Sequence, residues 1–527
     1  MLKFDIHQLY STSMIILNEE QIKGWDAYTI KKGRSAIDLM EQAAISVVRK
    51  LDILLGDEDQ EVLIICGNGN NGADGLAIAR HLVDLEYLVD VFVNLEGEHS
   101  DEWKVNYERL LQLDSEHLDI HDKWDPEEIE LSPSGTIIDA IFGTGIARPL
   151  SGKWLEIANW VNEQSNLTIA IDMPSGLYVD KQADGEVIYA DLVLTFQCQR
   201  LAFMMPESEP YFGDVVVCDI GLSDTFLLES DIRSFELRHY YLLPFLIERS
   251  RFSHKGDYGH GLLIAGSYGK GGACILAASG AMRSGIGLLT AHIPQKLYTL
   301  LQFAVPEAMV AMDVQENFFS HIVVPDKISA IGIGPGIGTD PLTQKGVLDI
   351  LKRGKMVPMV WDADALNILA LNPGSIDLLP EGTIITPHPG EFDRLFGEQE
   401  DHYERFETAQ REASKRKINI VLKGGITIVC QSNGVSFFNT RGNPGMATGG
   451  SGDVLTGIIL GLLSQGYSPD FASLLGVYIH ATAGDLASET IGHEALIAGD
   501  IIEFMGEAFE QLRNEEQDID ETEEEGA

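Results

Sequence analysis

Short runs of β-branched residues alternate with amphipathic helical stretches along nearly the whole chain, and few protein folds are compatible with that alternation. The runs lie at 62–66, 89–93, 136–139, 168–172, 261–266, 330–334, 356–362, 383–386 and 418–424. Strands separated by helices are typical of βαβ units and of mainly parallel sheets. The sequence therefore predicts an α/β fold. In such folds ligands bind beyond the carboxyl ends of strands, where most glycine-rich segments of this chain fall.

The length of 527 residues exceeds what one ordinary hydrophobic core accommodates. A charged, bulky stretch near 222–250 separates two glycine-rich halves, and we place the boundary at about Ser234. The predicted domains are 15–235 and 236–513. Residues 514–527 hold eight acidic residues and no Lys or Arg, which predicts a disordered acidic tail.

The charge balance limits the classes of partner. With 81 acidic and 37 basic residues the net charge is −44, which disfavours binding to nucleic acid and to anionic membranes. No apolar run reaches the length of a membrane span, and residues 1–14 lack the features of a secretory signal. The five cysteines are scattered without a CxxC pair, as is typical of reduced thiols. We therefore expect a cytoplasmic protein.

The first glycine-rich segment, 67–75 (GNGNNGADG), follows a predicted strand and precedes a predicted helix. Its glycines match the GxGxxG pattern of dinucleotide-binding domains, and Asp90 stands where such domains carry a ribose-binding acid. An NAD-dependent dehydrogenase is therefore one interpretation. However, Asn70, Asn71 and Asp74 fill the turn with side-chain acceptors, which suit a hydroxylated or cationic group better than a pyrophosphate.

Two further segments follow strands in the same half, at 139–149 (DAIFGTGIARP) and at 172–176 (DMPSG). Gly143 and Gly145 offer backbone amides of the kind that bind phosphate. Three strand ends carrying Asp, Asn and Gly are expected to converge on one cleft. Alternatively, Asp139 and Asp172 only cap the loops after their strands.

Together these three segments resemble NAD(P)H-hydrate epimerase over about residues 15–225, including the helix at 18–30 and LMEQAA at 39–44. The resemblance implies a Rossmann-like fold and Asp172 as the catalytic acid/base. It implies a potassium ion bound by Asn71, Asp139 and Ser175. The residues that it assigns to the hydrated dinucleotide are Asn70, Asn71, Gly72, Ala73, Asp74, Gly143, Thr144, Gly145, Ile146, Ala147, Arg148, Pro149 and Asp172.

The most distinctive segment of the second half is 442–463 (GNPGMATGGSGDVLTGIILGLL). Its glycines free the backbone, and Asp453 opens an apolar helix whose N-terminus can bind an anion. An Asp at this point can take a proton from a hydroxyl that attacks a phosphate. The alternative is that Asp453 is only an acid favoured in a first helical turn. The sequence GxxxxGK[ST] does not occur, which excludes a Walker-type P-loop.

This half resembles the ribokinase-like ADP-dependent NAD(P)H-hydrate dehydratases over about residues 245–512. Supporting segments lie at 254–278, 332–338, 361–367, 386–392 and 423–427. The resemblance implies ADP as phosphate donor and magnesium beside the phosphates. The implied nucleotide-binding residues are Lys423, Gly424, Gly425, Ile426, Thr427 and Gly452. The implied contacts to the hydrated cofactor are Ala273, Gly336, His388 and Asp453.

The sequence thus predicts a two-domain enzyme, Rossmann-like then ribokinase-like, that repairs hydrated NADH and NADPH (NADHX and NADPHX). One domain epimerises their R and S forms and the other dehydrates the S form with ADP, releasing AMP and phosphate. Family resemblance further predicts a homo-oligomer. Three alternatives stay open: a dehydrogenase fused to a ribokinase-like kinase, a non-catalytic nucleotide-binding regulatory protein, and a first domain that binds without catalysing.

Overall fold

The computed structural model describes residues 14–514 except 57–59, 128, 130, 326 and 353–356. The acidic tail predicted at 514–527 therefore lies outside the described residues apart from Asn514, as does Met356 at the start of one predicted strand. The contacts divide the chain into two units. The units comprise residues up to Ile232 with Asp401–Tyr403, and Arg233–Glu400 with the residues from Glu404 onward.

The N-terminal unit is built on a parallel seven-stranded sheet of order β4-β3-β2-β5-β6-β7-β9, beside a short parallel pair β1-β8. The strands are β1 (Ile16–Leu17), β2 (Glu61–Cys66), β3 (Leu88–Val93), β4 (Leu118–His121), β5 (Thr136–Ala140), β6 (Leu167–Ile171), β7 (Ala190–Phe196), β8 (Gln199–Arg200) and β9 (Phe212–Cys218). The helices are α1 (Glu19–Lys31), α2 (Ala36–Leu55), α3 (Asn70–Asp84), α4 (Asp101–Leu111), α5 (Lys153–Glu163) and α6 (Thr225–Glu229).

Both faces of this sheet are covered, which explains the continuous apolar runs in its strands. Buried residues of α2, α3 and α4 form a core on one face, and those of α5 form a second core with alternate residues of the same strands. Local signals fix the helix ends. Ser35 accepts a hydrogen bond from the amide of Asp38 at the start of α2, and Gly56 ends that helix with φ +71°.

The C-terminal unit contains a ten-stranded sheet of order β10-β19-β18-β17-β16-β15-β14-β11-β12-β13, in which only the β17-β18 and β18-β19 pairs are antiparallel. The strands are β10 (Ser234–Glu236), β11 (His260–Ile264), β12 (Leu288–Ile293), β13 (Met309–Met312), β14 (Ala330–Ile333), β15 (Met359–Trp361), β16 (Ile384–Ile385), β17 (Asn419–Leu422), β18 (Thr427–Cys430) and β19 (Ser436–Asn439). The helices are α7 (His239–Leu242), α8 (Gly271–Arg283), α9 (Tyr298–Ala304), α10 (Pro341–Leu351), α11 (Asp364–Leu371), α12 (Pro389–Phe396), α13 (His402–Arg416), α14 (Ser451–Ser464), α15 (Pro469–Ile491) and α16 (Ala498–Asn514).

Strand β10 pairs with β19, so the boundary predicted after residue 235 falls inside a strand of the second sheet. The predicted two-domain α/β fold with mainly parallel sheets is confirmed by the topology of both units. All five cysteines are buried and none forms a disulfide. Within the described part of the chain, every helix is too short or too polar to span a membrane.

Helix α14 is the most buried helix of the second unit and packs closely on α8. The two backbones approach so closely that a Cβ atom on Gly457 would lie 2.0 Å from the carbonyl oxygen of Ala277. A Cβ atom on Gly280 would likewise lie 2.7 Å from the carbonyl oxygen of Val454. Glycine at these positions therefore fixes where the N-terminus of α14 meets the sheet.

We predict that Gly457→Ala lowers the free energy of unfolding of the second unit, because the added methyl group forces α14 and α8 apart. The loss should be about 1–3 kcal/mol, as for other overpacked cores. The matched control is Gly506→Ala on the exposed face of α16, where a Cβ atom meets nothing within 4 Å. This control should gain up to about 1 kcal/mol from helix propensity. Urea unfolding followed by circular dichroism measures both, and equal effects of the two substitutions would contradict the packing account.

Two candidate active sites at the carboxyl ends of the strands

The N-terminal unit contains a cavity of about 440 Å³ beyond the carboxyl ends of β2, β5, β6 and β7. Because these strands are parallel neighbours, the loops that follow them meet at one edge of the sheet. One wall comes from α1 and α2 and is largely apolar, with Trp25 and Leu39 among its residues, although α1 also contributes Lys23 and Asp26. The opposite wall is polar and carries Asn71, Asp74 and Asp172. The predicted convergence of three strand ends on one cleft is confirmed.

Asp172 follows β6 and has a backbone φ of +66°, a conformation that non-glycine residues rarely adopt. Its Oδ1 atom is 2.7 Å from Nη2 of Arg200, and its Oδ2 atom accepts a 3.2 Å hydrogen bond from the amide of Thr144. The Arg200 side chain is 2% exposed and also donates to the carbonyl oxygens of Phe196 and Cys198. The Asp172 carboxylate is therefore held at both oxygens and matched by a buried cation.

Gly143 lies directly against this carboxylate. A Cβ atom at this position would be 2.9 Å from Oδ2 of Asp172 and 3.1 Å from Oδ1 of Asn71, so any larger residue would displace both side chains. The Asn71 side chain is buried, and neither its oxygen nor its nitrogen has a hydrogen-bond partner among the described residues. Unpaired buried polar atoms are costly, which indicates that a ligand satisfies them.

Asp139 fastens two of the loops to each other. Its Oδ2 atom accepts a 2.7 Å hydrogen bond from the amide of Ser175, and its Oδ1 atom accepts from Ser175 Oγ (2.6 Å) and from the amide of Ile141 (3.2 Å). Complete burial raises the pKa of Asp139 to about 6 despite these donors. The loop-capping interpretation of Asp139 therefore holds, and the raised pKa indicates that a nearby cation would be favourable.

The sequence alone did not reveal the full roles of three titratable groups in this cavity. Asp26, on α1, received no role from the sequence; burial, and then the Asp172 carboxylate, raises its pKa to about 6. Asp74 was assigned only to binding; burial and the carboxylates of Asp172 and Asp26 raise its pKa well above its ordinary value. Arg200 was missed entirely, because nothing in its local sequence shows that β8 brings it to the Asp172 carboxylate.

The cavity lining includes only part of the predicted binding set. Residues 143–146 line it, as do Asn70, Asn71 and Asp74, whereas Gly72 and Ala73 are buried in the first turn of α3. Ala147, Arg148 and Pro149 are exposed and lie outside the lining.

Asp90, the ribose-binding acid of the dehydrogenase interpretation, lies outside this cavity. It sits within β3, and its Oδ1 atom is 2.7 Å from Nε2 of His121 on β4. Asp90 therefore bonds to a neighbouring strand in the middle of the sheet and does not lie at the strand ends, where a dinucleotide would bind. This geometry argues against that interpretation.

The second unit brings another set of strand ends together. The parallel neighbours β17, β16, β15, β14 and β11 all end at one edge of the sheet. The residues just beyond these ends are Lys423, His388, Asp362, Gly336 and Ser267. The N-terminus of α14 lies at the same edge, because a Cβ atom on Gly452 would be 3.3 Å from Nζ of Lys423.

Asp362 is the centre of this site, although its 2% exposure hides it from solvent. Its Oδ1 atom is 2.8 Å from Nζ of Lys423, and its Oδ2 atom accepts a 2.7 Å hydrogen bond from Thr456 Oγ1. Thr456 belongs to α14, so this carboxylate ties the helix to β15. The Lys423 side chain therefore points at the helix N-terminus, whereas residues 424–426 form the turn into β18, which begins at Thr427.

Asp453 lies in the first turn of α14, as predicted. Burial, together with the carboxylates of Asp362, Asp364 and Glu391 and against the lowering effect of Lys423, raises its pKa to about 7. Near neutral pH both forms of Asp453 are populated. A group with this property is suited to accept and return a proton.

His388 is the N-cap of α12, between Pro387 and Pro389 as the sequence indicated. Its backbone amide donates to Glu391 Oε2 (3.0 Å), and its Nδ1 atom accepts from the amide of Gly390 (3.1 Å). The ring is half exposed and so remains available to a ligand.

Ala273 and Gly336 are also brought together in the second unit, since a Cβ atom on Gly336 would lie 3.0 Å from that of Ala273. The structure adds Asp362, Thr456 and Glu391 to the site. Of these, Asp362 stood in the motif WDADALN directly after a predicted strand, which was a usable signal.

The fold and the two sites define a two-domain α/β enzyme, and comparisons with known proteins specify its family. Residues 36–202 match the family model described as YjeF-related protein N-terminus. Residues 261–505 match the model described as NAD(P)H-hydrate dehydratase.

Similar proteins include the bifunctional NAD(P)H-hydrate repair enzymes of Moorella thermoacetica (34% identical, 92% of this chain and 94% of the relative) and Coxiella burnetii (32%, 92% and 98%). A crystal structure of the ADP/ATP-dependent NAD(P)H-hydrate dehydratase from Bacillus subtilis is also similar, with 32% identity, a TM-score of 0.46, and coverage of 53% of this chain and 98% of its own. The chain belongs to the family of bifunctional NAD(P)H-hydrate repair enzymes.

We predict that Arg200→Leu destabilises the N-terminal unit, because it leaves the Asp172 carboxylate buried without its cation. Removing one partner of a buried ion pair costs about 3–5 kcal/mol. The double variant Arg200→Leu with Asp172→Asn should recover part of that loss, since no unpaired charge remains. Urea unfolding monitored by tryptophan fluorescence measures both variants, and a single variant as stable as the native protein would contradict the assigned role of the pair.

Proposed function

We propose that the N-terminal domain interconverts the R and S forms of NADHX and NADPHX. The C-terminal domain dehydrates the S form with ADP, restoring NADH or NADPH and releasing AMP and phosphate. One observation supports this proposal most directly. Each half of the chain has the carboxyl group expected for its reaction, Asp172 in the first and Asp453 in the second, at the edge of the sheet where parallel strands end. Because only one epimer is dehydrated, the two activities are useful together.

In the first site, the apolar wall of the cavity is suited to the nicotinamide ring and the polar wall to its hydroxyl and the dinucleotide. We assign binding to residues 70–74 and 143–149, of which 143–146 line the cavity. Asp172 contacts the altered ring as the catalytic carboxyl group. Epimerisation breaks and remakes the bond between the ring carbon and the hydroxyl oxygen, a reaction that carboxyl groups assist by proton transfer.

We assign a potassium ion to Asn71, Asp139 and Ser175. Two features support this assignment. The amide oxygen of Asn71 has no hydrogen-bond partner among the described residues, and burial raises the pKa of the Asp139 carboxyl group to about 6 despite its hydrogen bonds. Oxygen donors of these kinds suit a hard cation. When bound, the ion supplies positive charge beside a site that holds several carboxyl groups.

In the second site, Asp453 takes the proton of the ring hydroxyl while its oxygen attacks the terminal phosphorus of ADP. Hydroxide is a poor leaving group, whereas phosphate is a good one, and its elimination regenerates the dihydropyridine. The free amides at the N-terminus of α14 and the Lys423 ammonium stabilise the charge on the transferred group. We assign the nucleotide to residues 423–427 with Gly452, and the hydrated cofactor to Ala273, Gly336, His388 and Asp453.

Magnesium fits beside the phosphates of this second site. The carboxylates of Asp362, Asp364 and Glu391 act electrostatically on Asp453, so several hard oxygen ligands lie close to the transferred group. When bound, the ion neutralises phosphate charge.

We further propose that the enzyme is cytoplasmic, homo-oligomeric and without nucleic-acid or membrane partners. The five unpaired buried cysteines and the net charge of −44 support the location and the absence of polyanionic partners.

Crossed variants test the assignment of the two activities. Asp172→Asn should abolish epimerisation and leave ADP-dependent dehydration of pure S-NADHX unchanged. Asp453→Asn should do the reverse, with dehydration falling by about two to four orders of magnitude as expected for a lost general base. Chromatography of the epimers measures the first activity and NADH absorbance the second. Loss of both activities in either well-folded variant would contradict the assignment of one activity to each site.

A further inference from the structure

Asp26 occupies a distinctive place in the N-terminal cavity. It projects from α1, whereas Asp74, Asp172 and Arg200 belong to α3, the loop after β6, and β8. Its carboxyl group is half-buried and has no hydrogen-bond or ion-pair partner among the described residues. It is therefore free to bond to whatever enters the cavity.

The backbone that carries Asp26 is nevertheless fixed. The adjacent Trp25 donates a 3.0 Å hydrogen bond from Nε1 to the carbonyl oxygen of Ser223 and stacks on Phe226 with ring centroids 5.8 Å apart. Asn18 and Gln21 form a reciprocal capping box at the start of the same helix. A carboxyl group whose oxygens are unbonded but whose backbone is rigid can contact the same atom of a bound ligand each time.

The other two aspartates of the cavity are less suited to carry a proton to a ligand. Asp172 has Arg200 at one oxygen and the amide of Thr144 at the other, so protonating it would break an ion pair. Asp74 is buried in the first turns of α3, and burial, together with the carboxylates of Asp172 and Asp26, raises its pKa well above the ordinary value, which disfavours loss of its proton. Of the three aspartates that line the cavity, Asp74 and Asp172 are buried, whereas Asp26 is partly exposed and can exchange a proton with a ligand.

We propose that Asp26 is the general acid–base of the epimerisation, moving the proton to and from the ring hydroxyl while Asp172 stays an anion paired with Arg200. This inference rests on the proposed function of the N-terminal domain and divides its chemistry between two carboxyl groups.

Epimerisation begins with loss of water from the ring carbon. The Asp26 proton passes to the hydroxyl oxygen, and the carbon–oxygen bond breaks with its electron pair on oxygen, so that water leaves. The lone pair of the adjacent ring nitrogen forms a carbon–nitrogen double bond, and the resulting cation lies beside the Asp172 carboxylate. Water then adds to the opposite face of the carbon, the double-bond pair returns to nitrogen, and the proton that this water loses passes through solvent to the Asp26 carboxylate.

The pKa of about 6 at Asp26 gives this step a pH dependence of known sign. The protonated form starts the reaction, so kcat/KM for epimerisation falls as the pH rises through about 6. The titratable and charged groups around Asp26 in this cavity are Asp74, Asp172, Cys198, Arg200, Lys23 and Glu102.

The test uses the full chain, pure S-NADHX and no ADP, so that dehydration does not compete. Formation of the R epimer is followed by chromatography after subtraction of the uncatalysed rate. Asp26→Asn should lower epimerisation by about two to four orders of magnitude and abolish the pH dependence near pH 6. Asp26→Glu should retain part of the rate. Glu20→Gln, on the exposed side of the same helix, is the matched control and should leave the rate unchanged.

The outcomes separate the hypotheses. If the native protein does not interconvert the epimers, the proposed epimerase function fails. If it does, and folded Asp26→Asn does so equally well, only the assignment of Asp26 is wrong. Folding of the N-terminal domain is followed by fluorescence, because five of the six tryptophans lie there. If the Asn variant does not fold, the pH profile of kcat/KM for Asp26→Glu decides between the hypotheses. A shift in the pH at which kcat/KM falls supports the assignment of Asp26, and an unchanged pH overturns it.

Discussion

A buried carboxylate needs a matching cation, and both sites of this protein are organised around such a pair. Asp172 and Arg200 are 2.7 Å apart in the first domain, and Asp362 and Lys423 are 2.8 Å apart in the second. Each pair lies just beyond the carboxyl ends of parallel strands. In each domain a non-glycine residue adopts positive φ there, at Asp172 (+66°) and at Ala363 (+48°). This strain is the cost of turning the chain so that the carboxylate faces the site.

These pairs have consequences for the remaining acids. Asp26 and Asp453 lie close to the paired carboxylates of Asp172 and Asp362, and neither forms an ion pair with a described residue. Burial, followed by the charge of the neighbouring paired carboxylate, raises their pKa values, to about 6 at Asp26 and about 7 at Asp453. The arrangement thus places a proton-exchanging group beside a fixed anion in both domains. A chain with net charge −44 binds an anionic cofactor only through such local devices, together with helix N-termini and bound cations.

The sequence predicted those parts of the sites that are local in the chain. Alternation of strands and helices gave both parallel sheets, and glycine-rich segments after strands located Asp172 and Asp453. It did not predict Asp26 or Arg200, because they reach the cavity from α1 and β8, far from the loops that define it. The pairing of Lys423 with Asp362 was missed for the same reason, since it depends on which strands become neighbours. The predicted boundary falls inside β10, because that strand pairs with one about 200 residues later, which a local pattern does not reveal.

The central claim is that one chain repairs both epimers by two separate carboxyl-centred sites. The most direct test is to incubate the purified protein with mixed NADHX epimers and to follow NADH absorbance with and without ADP. The account predicts no NADH without ADP. With ADP it predicts complete conversion, so that the yield exceeds the initial amount of the S form. A yield that stops at the S fraction, or NADH formed without a nucleotide, would contradict it.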